Sequence, residues 1–235
     1  MLSKRGLCSR SEATRWITAG RVEVDGRIVR DPEFPVVDRQ RIRVDGRDLD
    51  AVAPAEVLCL MLNKPRGLVT STRDEQGRDT VYRCFEGANL GWIAPVGRLD
   101  KASEGLLLFT NDPEWAARIT DPALGPNKTY HVQVDAIPDA ALLARLVQGV
   151  HADGELLSAK SAVLLRAGAK NAWLEIVLDE GRNRQIRRLL AAFDIGVLRL
   201  VRVAIGPLEL GPLAKGHWRA LTRAEVESLS QAAPG

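Results

Sequence analysis

Cysteine and histidine are both scarce in this 235-residue chain, three of each. Cys8, Cys59 and Cys84 stand too far apart for a C-x-x-C knuckle, and a chain of this length needs no disulfides to hold a core. Free thiols in a reducing cytosol are therefore expected. His131, His151 and His217 show no H-E-x-x-H or comparable spacing, so a structural zinc site is not expected. No apolar run approaches the ~20 residues a membrane-crossing helix requires. The opening residues, which include Lys4 and Arg5, lead into no hydrophobic signal core. A glycine-rich dinucleotide turn and a phosphate loop are missing, as are internal repeats and low-complexity tracts. An excess of one charge is lacking too: 33 basic residues meet 30 acidic ones for a net of +3, so only the distribution of charge can inform. The expectation is a soluble cytoplasmic protein.

What is present is enough apolar material, 46% of the chain, for one large domain and a small one. Ser9-Arg10-Ser11-Glu12 fits a capping box, and the helix it opens, through Trp16 and Ile17, stops at Gly20. Short strands follow at 22–24 and 42–44, each ending in an Asp-Gly turn. Residues 4–30 carry seven basic side chains, Arg10, Arg15 and Arg21 among them, against three acidic ones. That excess is either a solvated helix face or a surface that tracks phosphates. The unit of about fifty residues (1–50) gives way to a small Pro-containing linker, 51–56, and a larger domain, 57–235.

In the larger domain the spacing predicts a strand over 57–62, then a turn from Asn63 to Gly67. Gly105 to Thr110 is an apolar run for a buried strand, and Asp112-Pro113-Glu114 is a helix start. Further strands are predicted over 128–135 and 173–178, and helices over 138–148, 183–193 and after Thr222. The mixed order favours an α+β domain with a mainly antiparallel mixed sheet flanked by helices over a doubly wound parallel one.

Two places could carry chemistry. On the helix at 183–193, Ile186, Leu189, Leu190 and Phe193 form one buried stripe. Arg184 and Arg188 then face water or an anion, and Arg187 sits on the flank, where it needs a partner if partly buried. The other place is Asp100, two residues after Arg98 and just before the apolar run. Most single aspartates in such turns are structural. A carboxylate kept charged by a nearby guanidinium, for which Arg187 is the candidate, would instead serve as nucleophile or base.

Two resemblances extend this reading. "SKRGLCSRSEATRWITAGRVEVDGRIV" resembles the small RNA-binding domain of the S4 type, an α/β unit. It lacks the earlier start of that domain's first helix. "LNKPRGLVTS", "VGRLDKASEGLLLFTND", "KTYHVQV" and "LDEGRNRQIRRLL", in that order, resemble the RsuA-like family of bacterial ribosomal RNA pseudouridine synthases. This resemblance implies the pseudouridine synthase fold and assigns Asp100 as catalytic aspartate. It makes Tyr130 the tyrosine that stacks near the target base and Arg187 the basic partner of the aspartate. Ile186 and Leu189 would wall the uracil pocket, and Lys64, Arg98, Arg182, Asn183 and Arg184 would touch RNA, with Arg10, Arg15 and Arg21 doing so from the S4-like unit. The implied reaction detaches a uracil and rejoins it through carbon 5, so no metal, nucleotide or flavin is implied. The implied partner is ribosomal RNA or a ribosomal assembly intermediate, with no membrane, met by a monomer. The wording of the motifs leans slightly to large-subunit RNA. The related RluA-like synthases more often show His-Arg-Leu-Asp and His-Gln-Ile-Arg, where this chain has Gly97 and Arg184. A non-catalytic RNA-binding assembly factor is the remaining alternative, and it would be expected to have lost one of Asp100, Tyr130 and Arg187.

Overall fold

The computed structural model describes residues 1–3, 5–37, 39–49, 56–71 and 76–232. Near the N-terminus, Ser9 Oγ accepts the Glu12 N–H at 3.1 Å and starts α1 (Arg10–Thr18), the Ser9 half of the expected capping box. Gly20, at φ 72°, ends it: the Gly20 and Arg21 amides donate to the Ile17 and Trp16 carbonyls at 2.9 and 3.0 Å. Four short strands follow, β1 (Val22–Val24), β2 (Arg27–Val29), β3 (Ile42–Val44) and β4 (Arg47–Asp48). They form an antiparallel sheet in the order β2-β1-β3-β4. Both Asp-Gly turns have positive φ at both residues, the twist that tight hairpins require. Leu2, Cys8, Val22 and Ile42 make a small core of their own, with Trp16 and Ile17 against it. The expected linker, 51–56, lies outside the described residues except Glu56, whose carbonyl accepts from Asn111 Nδ2 at 2.9 Å.

The rest is built on one large sheet. Its strands are β5 (Cys59–Lys64), β6 (Ala94–Val96), β7 (Glu104–Thr110), β8 (Lys128–Val134), β11 (Ser161–Ala167), β12 (Ala172–Leu178), β13 (Val197–Ile205), β14 (Leu208–Glu209) and β15 (Trp218–Ala220). β9 (Val150–Ala152) and β10 (Glu155–Leu157) form a separate hairpin. The order is β11-β12-β8-β13-β7-β5-β15, with β14 on β13 and β6 on β7. Every pairing is antiparallel except β13 with β7, which makes the sheet mixed and mainly antiparallel, as expected. The helices are α2 (Pro113–Thr120), α3 (Ala140–Gln148), α4 (Gln185–Ala191) and α5 (Arg223–Gln231). Leu107 and Phe109 of β7 join Leu146 of α3 and Leu189 of α4 in one core. Leu106 and Leu108 point the other way, to Trp115 of α2 and Leu229 of α5. Covered on both faces, β7 is apolar at all four central positions, Leu106 to Phe109, which explains the unbroken run.

Three expected boundaries move. The strand read over 57–62 begins and ends two residues later, because Asn63 and Lys64 find buried partners and need no turn. Asn63 Nδ2 donates to the Leu213 carbonyl at 2.7 Å. α3 starts at Ala140 rather than at 138, because Asp139 caps it by accepting the Leu142 N–H at 2.8 Å. α4 spans 185–191 rather than 183–193, and Phe193 lies beyond it, partly buried.

The parallel junction of β7 and β13 brings backbones unusually close. A Cβ at Gly105, where φ is 103°, would lie 2.2 Å from the Arg202 carbonyl oxygen. Gly105→Ala is expected to destabilise the fold by about 3 kcal/mol or more, read as a fall in Tm by circular dichroism.

Candidate active site

Asp100 lies in the loop between β6 and β7, and that loop is held by its backbone. Lys64, at the end of β5 with 0% exposure, donates from Nζ to the carbonyls of Pro65 (3.1 Å), Asp100 (3.1 Å) and Ser103 (2.8 Å). Thr70 Oγ1 donates to the Leu99 carbonyl at 2.7 Å, and the Gly67 amide donates to the Lys101 carbonyl at 2.7 Å. Burial pushes the Lys64 ammonium down to about 8, against the opposing charges of Asp100, Cys84 and Glu104. Lys64 is therefore no RNA contact, contrary to expectation: it spends all three donors inside the protein.

The Asp100 side chain opens on a cleft of about 640 Å³. Tyr130 and Ile186 line the same cleft, and so do Arg187, Arg98 and the Arg182–Arg184 turn. The electrostatic partner of Asp100 differs from expectation. Arg184 Nη1 stands 3.5 Å from Asp100 Oδ2, whereas Arg187 donates to the carbonyls of Val197 (3.3 Å) and Ala102 (3.4 Å). The late start of α4 is the reason. Arg184 is its N-cap in a left-handed conformation, φ 49° and ψ 31°, off the helical face on which it was placed. Burial lowers the Arg187 pKa first, Arg184 adds to that, and Asp100 opposes it. Arg187 Nε is buried with no partner among the described residues. Arg187 thus braces the Asp100 loop through Ala102 instead of gripping the carboxylate.

Leu189 does not wall the cleft; it is fully buried beside Leu190 in the core, one turn too deep along α4. Arg188 faces neither water nor an anion from outside. It is bound by Asp153 (2.8 Å), Glu155 (2.7 Å) and the Ala152 carbonyl (3.0 Å). Among the described residues no cluster of three His, Cys, Asp or Glu could hold a metal ion, and no helix is long and apolar enough to cross a membrane.

Residues 59–192 match the family model described as RNA pseudouridylate synthase. The chain belongs to this family. Residues 1–42 match the S4 domain, in line with the N-terminal resemblance. An RNA pseudouridine synthase of Aquifex aeolicus, itself uncharacterised, is 37% identical over 98% of this chain and 92% of its own. The ribosomal large subunit pseudouridine synthase B of Bacillus subtilis is 34% identical over 97% and 93%. A crystal structure of a pseudouridylate synthase superposes with a TM-score of 0.66 at 32% identity, covering 97% of this chain and 96% of that one. The RsuA-like motifs and the α+β fold expected of them agree with these matches.

The other candidate contacts of this pseudouridylate synthase divide by how free they are. Arg10, Arg15, Arg98 and Asn183 are exposed. Arg21 is exposed but engaged, its Nε and Nη2 on the two Asp45 oxygens at 2.9 and 2.5 Å and its guanidinium over Trp16. Arg182 is tied to Glu180 at 2.7 Å and to the Leu156 carbonyl at 3.0 Å. Sequence reasoning missed Lys128 and Arg202, which also line the cleft. Lys128 was legible, because it shares its inward parity with Tyr130 two residues on. Also missed was Glu104, 2% exposed, which holds Arg199 at 2.5 Å and Lys215. Burial would raise its pKa, but those two cations hold it below the usual range.

Proposed function

We propose that this chain converts one uridine, or a few adjacent ones, of ribosomal RNA to pseudouridine, with Asp100 as the essential group. One observation carries the reading: the Asp100 backbone is anchored by Lys64 while its carboxylate, 34% exposed, is left to the cleft beside Tyr130. A charged carboxylate so placed is a nucleophile or base held in position without being consumed by a structural partner. The bond from ribose C1′ to N1 of uracil breaks, the base turns, and a bond from C1′ to C5 forms. The C5 proton leaves and N1 ends protonated, so atoms balance with nothing imported. Tyr130 would stack near the turning base and assist proton removal, and Ile186 would wall it. The uridine must leave its stack to enter, at a cost of a few kcal/mol, which favours loops or single strands. Residues 1–50, the S4 unit, would deliver RNA to the domain at 57–235, with exposed Arg10, Arg15, Arg98 and Asn183 as phosphate contacts. The names of the B. subtilis and similar relatives, with the motif wording, favour large-subunit RNA as substrate; the reaction would take place in the cytoplasm.

The test is a pseudouridine map of both ribosomal RNAs from cells with and without the gene. One site, or a tight group of sites, is expected to vanish on deletion, in the large-subunit RNA. An unchanged map would overturn the activity, and a lost site in the small-subunit RNA would overturn the subunit preference.

A further inference from the structure

Six basic residues line the cleft against two acidic ones, Asp100 and Glu180. Both acids are engaged, Asp100 with Arg184 and Glu180 with Arg182 and Gln185. Positive charge is therefore left over, and most of it is deep. Arg202, on β13, is only 5% exposed. Its Nε donates to the Leu106 carbonyl at 2.7 Å, and its buried Nη2 has no hydrogen-bond partner among the described residues. A guanidinium stays charged in a protein, so its burial without a carboxylate is unfavourable until an anion arrives. Lys128, at the start of β8, points the same way as Tyr130, and Tyr130 is paired across the strands with Arg202. Burial lowers the Lys128 pKa first and the Arg202 charge lowers it further, with Asp179 opposing. Two cations thus repel each other in a desolvated recess, and neither has an ion pair among the described residues.

We propose that Lys128 and Arg202 form an anion subsite on the cleft floor that seats a phosphodiester of the bound RNA next to the target nucleotide. The assignment of the ligand rests on the proposed RNA activity; the subsite itself rests on the geometry. A uracil carbonyl is a neutral acceptor and would leave both charges uncompensated, whereas the RNA backbone carries one full negative charge per nucleotide. Because Arg202 stands across from Tyr130, an anion there flanks the nucleotide whose base meets Tyr130. The pair acts by positioning that nucleotide and takes no part in bond exchange.

Two measurements on the full chain test this. The first needs no turnover. Inorganic phosphate, added at constant ionic strength against chloride, is expected to raise the wild-type Tm in a saturable way and to leave that of Lys128→Met unchanged. Equal responses of the two proteins would overturn the subsite. The second uses a short RNA containing the mapped uridine, with a neutral methylphosphonate replacing the phosphate on its 5′ or its 3′ side. At one of the two positions the wild type is expected to lose about 10–100-fold in kcat/KM, the range of a charge-assisted contact. The same RNA should cost Lys128→Met less than about threefold, because the partner charge is already gone. Arg202→Lys, which keeps the charge in a buried position, should show an intermediate penalty. Equal penalties in all three enzymes, or none in the wild type, would overturn the assignment to the RNA backbone. If the map shows no lost uridine, the activity fails and the phosphate titration alone decides the subsite.

Discussion

Asp100→Asn is expected to lose pseudouridine formation by at least about 10³-fold while folding normally and binding RNA within a few-fold of wild type. The change is nearly isosteric and removes only the charge. Nothing in the loop depends on that charge for its shape, since Lys64, Thr70 and Arg187 all hold backbone atoms around it. The one ion pair of the carboxylate among the described residues, with Arg184 at 3.5 Å, joins an Arg side chain that is 51% exposed and a carboxylate open to the cleft. Such a pair contributes at most about 1 kcal/mol, so Tm should move by only a few degrees. Three readings separate the outcomes: a thermal melt, a filter-binding titration and pseudouridine formation on a ribosomal RNA fragment. Residual turnover near wild type would remove Asp100 from the chemistry. A large drop in Tm would make it a structural turn aspartate after all.

The contrast between Asp100 and its neighbours shows what a sequence can disclose here. The fold was legible wherever one local signal decided it. Asp112 and Thr222 cap their helices, Asp-Gly makes the small hairpins, and the unbroken run of β7 marks a strand covered twice. Tyr130 and Ile186 reach the cleft because each sits on an element whose inward face the periodicity defines. The partner of Asp100 was not legible, because it turns on one backbone conformation. Arg184 adopts positive φ, otherwise found among the described non-glycine residues at aspartates only, and no local pattern announces that in an arginine. Lys64 was misread for a similar reason. A lysine after an apolar strand usually marks the exit to solvent, and only the tertiary fold shows three carbonyls converging on it. Arg202 belongs to a strand that no local pattern disclosed, and it is buried at the β7–β13 junction that Gly105 permits, whereas the strand of Lys128 was read as found.

Lys64→Met is expected to lower activity far more than stability, by about 10²-fold or more against about 1–2 kcal/mol. Two opposing effects set the stability term. Removing the ammonium recovers its desolvation cost: from the ordinary 10.5 to about 8 is equivalent to roughly 3 kcal/mol. Against this, the Pro65 and Ser103 carbonyls lose their donor, at ~1–3 kcal/mol each, while the Asp100 carbonyl still accepts the Ser103 N–H at 2.9 Å. The difference is small and unfavourable. Activity has no such compensation, since the loop that aims Asp100 loses its anchor, and a displacement of about 1 Å can cost 10²-fold. The pH dependence separates the two effects. Between pH 8 and 10.5 the unfolded chain carries the Lys64 proton and the folded one does not, so the wild type should gain stability with rising pH across that window. Lys64→Met should lack that increment. Activity should run the other way, falling as pH passes about 8, because a neutral amine has two N–H groups for three carbonyls. Denaturant titrations from pH 7 to 10.5 and single-turnover rates from pH 7 to 9 would show both trends. A wild type whose stability and rate fall together across pH 8, matched by Lys64→Met, would mean that Lys64 does not hold the Asp100 loop.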